Sequence, residues 1–370
     1  MVLMERALSS TGRWDDAPEA PDNRHCRVVV IGVGGCGNNT VTRLKGLGVR
    51  GAEVVAMNTD AQHLSLTNAD RKILIGSGVT RGRGAGSVPS LGREAMMENI
   101  AEVEELTSGA DLVFVAAGMG GGTGTGAAPV IADIARRQGA VVIGVVTMPF
   151  RHEKKRVEYA VRGLNTMRRA SHTTIIIDNN RLMELVPQLP LRLAFQAGDD
   201  VICTMVRGVI ESLTLPSLIN LDFADLRTVM TRGGAAVVGL GQSNSPNRAE
   251  AASKNALSQM MLDADIKGAK GALIHVSGGE DLTLGEAVRA AEVVTESIGE
   301  EALVIWGSRV DPTLNTVIRV NLVVTGVTSP YAASGYEAEL SSLYNVDLWE
   351  SNDQRINLDL DLYNMEESLS

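Results

Sequence analysis

Two glycine-rich loops contain the residues of this sequence that are best suited to bind phosphate. The first, IGVGGCGNN at 31–39, places Gly32, Gly34 and Gly37 in the spacing G-x-G-x-x-G. The second, GMGGGTGTG at 118–126, has six glycines in nine residues and two threonine hydroxyls. Glycine lets the backbone approach a pyrophosphate closely and present its amide N–H groups to it. The two loops therefore predict a nucleotide or a related phosphate compound as the ligand.

The two loops differ in how specific they are. The first alone also fits a tight turn without ligand, or an NAD-dependent oxidoreductase in which Asp60 would bind the ribose. The second is harder to explain without a ligand, because so many glycines have a high entropic cost on folding. The chain has no G-x-x-x-x-G-K-[ST] motif, so the second loop is not a P-loop. A helix is expected after it, with Pro129 in the first turn.

The elements that would position these loops alternate between strands and helices. Apolar, β-branched runs predict strands at 27–31, 52–58, 111–117, 140–147 and 173–178. Helical stretches are predicted between them, near 38–46, 90–107, 127–138 and 153–170. This alternation predicts a parallel sheet that is covered by helices on both faces, as in doubly wound nucleotide-binding domains.

A long helix and a second α/β pattern follow this domain. Apolar residues recur every three or four positions from Leu193 to Leu213, which predicts a largely buried helix of about 30 Å. Further strands are predicted near 234–241, 272–277, 302–306 and 316–326, with helices near 247–263 and 284–298. The expected fold class is therefore α/β, a doubly wound parallel-sheet domain joined by a long central helix to a second, smaller α/β domain.

The expected domain limits follow from these patterns and from the distribution of charge. They are 1–26 for a flexible N-terminal extension, 27–191 for the nucleotide-binding domain, 192–227 for the central helix and the loop after it, 228–327 for the smaller domain and 328–370 for an acidic tail. Net charge is −10 over 370 residues, but the tail has nine acids and one base, so −8 of it lies there and −2 in residues 1–327. Without a basic field, nucleic acid is not an expected partner.

Other compositional features restrict the class of protein further. The three cysteines, Cys26, Cys36 and Cys203, form neither an even framework nor a C-x-x-C pair, so disulfides and zinc sites are not expected. No apolar run reaches the roughly 20 residues that span a bilayer, so no direct membrane insertion is expected. The first 24 residues lack the apolar segment of a signal peptide, which indicates a cytoplasmic protein.

Six segments, taken together, resemble the FtsZ family of prokaryotic, tubulin-like cell-division GTPases. They are IGVGGCGNN, NTDAQ (58–62), TRGRGAG (80–86), GMGGGTGTGAAPV (118–130), NLDFADLRTVM (220–230) and VSGGEDLTL (276–284). The similarity extends in order from about residue 27 to 327. The resemblance implies a tubulin/FtsZ-like fold and GTP and GDP as ligands. It also implies Mg²⁺ bound mainly through the GTP phosphates rather than by side chains, K⁺ as an optional second ion, and head-to-tail homopolymers in a ring at the mid-cell division site.

The resemblance also implies the nucleotide contacts, residue by residue. In the first loop the matching positions are Gly34, Gly35, Cys36, Gly37, Asn38 and Asn39, where Cys36 departs from the family's usual glycine. The positions that would hold the β- and γ-phosphates are Gly120, Gly121, Gly122, Thr123, Gly124, Thr125 and Gly126. Glu153 and Arg156 match ribose and phosphate contacts, although HEKKR is one residue shorter than the family form and leaves Lys155 as an alternative to Arg156.

Three residues match the family's contacts to the base, namely Asn179, Phe195 and Asp199. The carboxylate of Asp199 could accept two N–H groups from guanine, whereas adenine offers the opposite donor pattern. On local chemistry alone, Asp199 could also be a solvated acid beside Asp200, and Phe195 could be a core residue.

The segment NLDFAD matches the family's catalytic loop, with Asn220, Asp222 and Asp225 as the catalytic residues. A helix of about 30 Å separates this loop from the glycine loops, so it cannot return to the γ-phosphate of its own chain. The resemblance implies that it enters the nucleotide site of the next subunit, where two carboxylates polarise the attacking water. On local chemistry alone, Asp222 could instead cap a turn and Asp225 a helix.

The acidic tail ends in INLDLDLY (356–363), in which apolar and polar residues alternate. This pattern suits an extended strand that adds to the edge of a partner's sheet. Because the tail lacks the proline-containing peptide of bacterial members, we expect an archaeal member whose tail binds a SepF-like membrane tether and regulatory division proteins. A disordered solubility tail is the alternative. The other functions left open are an NAD-dependent oxidoreductase, a non-hydrolysing GTP-binding scaffold and a tubulin-like cell-shape GTPase.

Overall fold

The structure, a computed structural model, describes residues 26–214, 219 and 222–329. Its elements up to the central helix are β1 (Val28–Val33), α1 (Gly34–Gly46), β2 (Ala52–Asn58), α2 (Ala61–Leu66), β3 (Arg71–Leu74), α3 (Ser77–Thr80), α4 (Pro89–Met97), α5 (Ile100–Thr107), β4 (Leu112–Gly118), α6 (Thr123–Arg137), β5 (Val141–Met148), α7 (Lys154–Ala170), β6 (Thr173–Asp178), α8 (Asn179–Leu185) and α9 (Leu191–Thr214). After it come α10 (Phe223–Thr231), β7 (Gly234–Ser243), α11 (Arg248–Ser258), β8 (Gly271–Gly278), α12 (Leu284–Ser297), β9 (Leu303–Val310) and β10 (Ile318–Thr325). These elements confirm the predicted α/β fold class.

One sheet contains all ten strands, in the order β3-β2-β1-β4-β5-β6-β7-β10-β8-β9. The strands from β3 to β7 pair in parallel, whereas β10 pairs antiparallel with both of its neighbours. Thr173–Ile175 of β6 pair with Gly234–Ala236 of β7, so hydrogen bonds continue from the first α/β pattern into the second. The sheet is therefore continuous where the sequence predicted two α/β units joined by a helix.

Helices cover both faces of this sheet, and the sequence of β1 shows why. All six of its residues are buried, with Val28 and Val30 in the core under α1 and α9 and Val29, Ile31 and Val33 in the core under α6 and α7. A strand that is buried on both faces reads as a continuous apolar run. The central helix α9 has 24 residues, about 36 Å. It buries Ile202 and Val206 in the same core as Val28 and Val30.

Three local predictions differ from the structure. The single helix predicted at 90–107 is two helices, α4 and α5, which are separated at Glu98 and Asn99. The edge strand β3 was not predicted, because two of its four residues are exposed and charged and it has no apolar run. The expectation that Pro129 lies in the first turn of its helix was wrong, since α6 begins at Thr123 inside the glycine loop and Pro129 lies in its interior.

None of the helices that the structure describes has the combined length and apolar character that crossing a bilayer requires.

Candidate nucleotide site

A cleft of about 380 Å³ opens beside the carboxyl ends of the parallel strands. Residues from separate parts of the chain line it, as the sequence predicted for Cys36, Asn39, Glu153, Arg156, Asn179, Phe195 and Asp199. Ligand sites in doubly wound sheets occur at this edge, because all the loops that follow the strands meet there.

The first glycine loop passes directly from β1 into helix α1, which begins at Gly34. No side chain caps this helix terminus and its first turn has no acid, so its backbone N–H groups are available to an anion. Gly34 has a φ of 72°, in the left-handed region that favours glycine. A Cβ on Gly35 would meet one atom within 4 Å, His63 Nε2 at 3.9 Å, so this residue faces open space.

The side chain of Asn38, a predicted contact, points away from the cleft and is fully buried. With its nitrogen oriented to donate, its amide reaches the carbonyl oxygens of Gly32 at 2.9 Å and Met57 at 3.2 Å, and its oxygen accepts from Asn58 at 3.1 Å. Asn38 thus holds the first loop against β2. Gly37 packs as closely, since a Cβ there would lie 2.2 Å from the carbonyl oxygen of Ala116.

The second glycine loop forms the first turn of α6 and touches the first loop. A Cβ on Gly34 would lie 3.0 Å from the backbone nitrogen of Gly124. The predicted hydroxyl donors have partners within the protein: Thr125 Oγ1 accepts from the Gly120 N–H at 2.9 Å, and Thr123 Oγ1 lies 2.6 Å from Thr59 Oγ1. These threonines therefore fix the shape of the loop.

The glycines of the second loop fall into two groups. A Cβ on Gly122 would lie 2.8 Å from Ala85, on Gly124 2.7 Å from the Gly118 oxygen, and on Gly126 2.1 Å from the Pro89 oxygen. Gly121 is different, because a Cβ there would meet no atom within 4 Å. These three glycines are therefore required for packing against neighbouring backbone, as is Gly120, whose Cβ would lie 2.5 Å from the Arg156 oxygen, whereas Gly121 leaves space that a ligand can use.

The cleft is also lined by a half-buried carboxylate. Asp199 of α9 accepts a hydrogen bond from Thr40 Oγ1 at 3.3 Å, and burial raises the pKa of Asp199 to about 6. Its neighbour Asp200 instead pairs with Arg43 through two hydrogen bonds. Burial also raises the pKa of the Cys36 thiol to about 11, so this thiol is neutral at physiological pH.

Three aromatic rings, those of Phe195, Phe150 and His152, pack against one another near Asp199. Phe195 is 41% exposed and packs edge-to-face on Phe150 at 6.0 Å, and Phe150 stacks on His152 at 5.6 Å between ring centroids. Phe150 lines the cleft but was not predicted. The signal available in the sequence was its position two residues after β5, at the carboxyl edge of the sheet.

The mouth of the cleft is lined by an ion pair between Glu153 and Arg156. The backbone N–H of Phe150 donates to Glu153 Oε1 at 3.1 Å, which fixes the carboxylate against the loop. Arg156 borders the cleft, whereas the ammonium of Lys155, the alternative candidate, lies over the ring of Tyr159 at 6.0 Å from its centroid.

The two predicted catalytic aspartates lie elsewhere. Asp222 is the N-cap of α10 and accepts from the Ala224 N–H at 2.9 Å, and Asp225 lies in the first turn of the same helix. Both are exposed. The stretch of α9 from Asp199 to Thr214 spans about 22 Å before the chain even enters this loop. Asn220 lies outside the described residues.

Among residues 26–214, 219 and 222–329, no three His, Cys, Asp or Glu side chains are grouped so that they could hold a metal ion.

Comparisons with known proteins agree with this geometry. Residues 27–187 match the family model "Tubulin/FtsZ family, GTPase domain", and residues 234–328 match "FtsZ family, C-terminal domain". The chain is 49% identical to cell division protein FtsZ 2 of Methanocaldococcus jannaschii over 89% of this chain and 88% of that protein. It is 47% identical to cell division protein FtsZ 1 of Thermococcus kodakarensis over 90% and 88%.

Solved structures give the same result. An FtsZ dimer of M. jannaschii superposes with a TM-score of 0.78 at 45% identity, covering 88% of this chain and 91% of that one. A GTPγS-bound protofilament of CetZ2 from Haloferax volcanii shares the fold, with a TM-score of 0.72 at 21% identity over 86% and 99%. With both of its family models matched in order, this chain belongs to the FtsZ family.

Proposed function

We propose that GTP bound in the cleft of one subunit is hydrolysed when Asp222 and Asp225 of the next subunit complete the site. As a member of the FtsZ family, the chain is a filament-forming GTPase of cell division. The observation that carries the proposal is the separation between the cleft and two exposed carboxylates of the same chain, which lie toward opposite ends of a long helix. A head-to-tail contact joins the two halves, and because such a contact does not close on itself it produces filaments.

The phosphates of GTP would bind at the N-termini of α1 and α6. Both termini lack a side-chain cap and an acid in the first turn, and Gly35 and Gly121 leave open space beside them. The neutral thiol of Cys36 can lie near a phosphate without repelling it. We propose that Mg²⁺ is held mainly by the phosphates, where it would neutralise charge that develops on them, and that K⁺ is an optional second ion.

The base would bind between Phe195 and Asp199. The exposed face of Phe195 offers a stacking surface, and Asn179 at the start of α8 adds an amide. The Asp199 carboxylate would accept two N–H groups of guanine. Adenine lacks this pair of donors and would leave the half-buried carboxylate with only its hydrogen bond from Thr40, which is the physical basis for a preference for GTP over ATP.

This assignment predicts that GTP affinity falls as the pH decreases below about 6. Burial raises the pKa of Asp199 to about 6, so below that pH its carboxyl group is mostly protonated in the empty cleft. Guanine binding must then first release this proton. In Asp199→Asn the affinity should be weak and almost independent of pH between 5 and 7. Fluorescent GTP titrations measure both, and a parallel pH profile for wild type and Asp199→Asn would contradict the assignment.

The central experiment follows light scattering with GTP, GDP and ATP, together with phosphate release. We expect assembly and phosphate release with GTP, no release with GDP, and little of either with ATP. Assembly without phosphate release would indicate a non-hydrolysing scaffold, one of the alternatives. An NAD-dependent oxidoreductase is not favoured, since it leaves the second loop and NLDFAD without a role. The cell-shape alternative is less well supported, because the relatives at 47–49% identity are cell division proteins.

We also propose that the tail binds membrane-tethering and regulatory division proteins of the SepF type and so places the filaments at the division site. Residues 330–370 lie outside the described residues, and the support is the alternation in INLDLDLY.

Deleting 351–370 should leave GTP turnover unchanged and abolish binding to the tether, measured by co-sedimentation with tether-coated vesicles. Leu358→Ser with Leu360→Ser should reproduce the loss, because both leucines would lie on one face if the segment binds as an extended strand. Asn357→Ser with Asp359→Ser changes the other face and is the matched control. Normal tether binding by the deletion variant would refute the docking role.

A further inference from the structure

The strand β9 contacts both the central helix and the loop that precedes Asp222, through two adjacent residues. β9 is the edge strand of the sheet, so one of its sides has no neighbouring strand. On that side, Ser308 and Ile219 exchange two backbone hydrogen bonds, with N–O distances of 3.2 and 3.3 Å, as an isolated antiparallel bridge. Ile219 is three residues before Asp222, so the bridge keeps Asp222 within about 10 Å of a residue that is hydrogen-bonded to β9.

The next residue along β9 reaches the opposite partner. Side chains of a strand alternate between its faces, and Arg309 lies on the face that is covered by α9. There its guanidinium pairs with the carboxylate of Glu211, whose side chain is only 8% exposed. Glu211 is thus a buried charge, and such a charge favours keeping its partners close because separation from one of them would leave it less compensated.

Glu211 has a second guanidinium partner, Arg207, so the effects of its two ion pairs can be tested separately. Arg207, one turn earlier on α9, donates to Glu211 Oε1 at 2.7 Å and to the carbonyl oxygen of Leu47 at 3.1 Å. Arg207 therefore shares the carboxylate with Arg309 but connects it to the end of α1. Among the described residues, its hydrogen bonds go to Glu211 and Leu47 and none goes to β9.

We propose that Arg309 is a positioning residue for GTP hydrolysis: its ion pair with Glu211 fixes β9 against the central helix, and the Ser308–Ile219 bridge transfers that position to the loop of Asp222. The inference rests on the proposed function of Asp222. Two contacts flank the loop: the bridge at Ile219 precedes it, and the packed helix α10 follows it. α10 is held by buried Leu226 and Met230 and by a hydrogen bond from Thr173 Oγ1 to the Met230 oxygen at 2.6 Å.

The loop needs such an anchor because it must act on another molecule. A carboxylate that polarises water for a neighbouring subunit is effective only when it is held in a fixed geometry before the contact forms. A displacement of about 1 Å in such a group can reduce a rate by about a hundredfold. Weakening the Arg309 pair should therefore reduce the rate of hydrolysis without affecting the cleft.

The test compares Arg309→Met with Arg207→Met, each of which removes one of the two guanidinium partners of Glu211. Phosphate release is measured at saturating GTP and at protein concentrations above the assembly threshold, and GTP affinity is measured separately. We expect Arg309→Met to lower turnover at least tenfold with GTP affinity within twofold of wild type, and Arg207→Met to keep turnover within twofold. Turnover of Arg309→Met within twofold of wild type, or an equal loss in both variants, would overturn the proposal.

Two further measurements keep the test decisive if Arg309→Met folds poorly. Arg309→Lys keeps the charge with fewer donors, and its turnover should be intermediate. Hydrogen exchange of the Ser308 and Ile219 amides should be faster in Arg309→Lys than in Arg207→Lys, and equal exchange in the two would contradict the proposal. Asp222→Asn is measured beside them: if it keeps its turnover, the shared-site function fails, whereas an inactive Asp222→Asn with an active Arg309→Met rejects only the role of Arg309.

Discussion

Replacing Asp222 by asparagine should lower GTP turnover by about a hundredfold or more while leaving GTP binding unchanged. A positioned carboxylate that polarises or deprotonates water typically contributes 10²- to 10⁴-fold, and Asp222 lies about 22 Å or more along the chain's own helix from the cleft. Asp225→Asn should behave in the same way. Phosphate release and fluorescent GTP binding, measured on the same preparations, separate turnover from affinity.

The asparagine variant also separates catalysis from helix capping. Asp222 caps α10 through the Ala224 N–H, and asparagine caps a helix about as well as aspartate. Asp222→Ala loses the cap as well, which costs about 1 kcal/mol. If Asp222→Asn recovers turnover that Asp222→Ala loses, the residue is only a cap. Turnover per molecule should also fall on dilution of wild type, because each site needs two subunits, and a constant value would exclude a shared site.

The strands that could be predicted are those whose composition and hydrophobic pattern both indicate a buried strand. β1 is a continuous apolar run, and the structure buries all of its residues between two layers of helices. β3 could not be predicted because it is an edge strand of four residues with exposed Arg71 and Lys72. The continuity of the sheet across β6 and β7 was not predictable, since it depends on pairing between Thr173 and Gly234, which are far apart in the sequence.

The sequence could locate the glycine loops of the candidate site, but it could not show what each residue of those loops contacts. The glycines were interpreted as phosphate contacts, yet Gly122, Gly124 and Gly126 are required by packing that appears only in three dimensions. Asn38 faces the interior, because it lies on the side of α1 that covers the sheet. Phe150 could not be singled out, since one aromatic residue after a strand has no pattern of its own.

Substituting alanine for a glycine that packs against backbone and for one that faces open space should have opposite consequences for folding and for GTP binding. Gly126→Ala should destabilise the fold by about 1–3 kcal/mol or more, because its Cβ would lie 2.1 Å from the Pro89 oxygen and 2.5 Å from the Arg93 nitrogen, both backbone atoms of α4. Gly121→Ala should fold normally, since its φ is not in the left-handed region and no atom lies within 4 Å of the added methyl group.

The methyl group of Gly121→Ala would instead occupy the space proposed for a phosphate, so its GTP affinity should fall at least tenfold. Thermal unfolding with and without GTP distinguishes the two variants: Gly126→Ala lowers the midpoint without ligand, whereas Gly121→Ala keeps the wild-type midpoint and loses the increase that GTP produces in the wild type. That increase follows from mass action, because a ligand that binds only the folded state stabilises it by RT ln(1 + [L]/Kd). A normal GTP-dependent increase in Gly121→Ala would mean that the phosphates do not bind beside this residue.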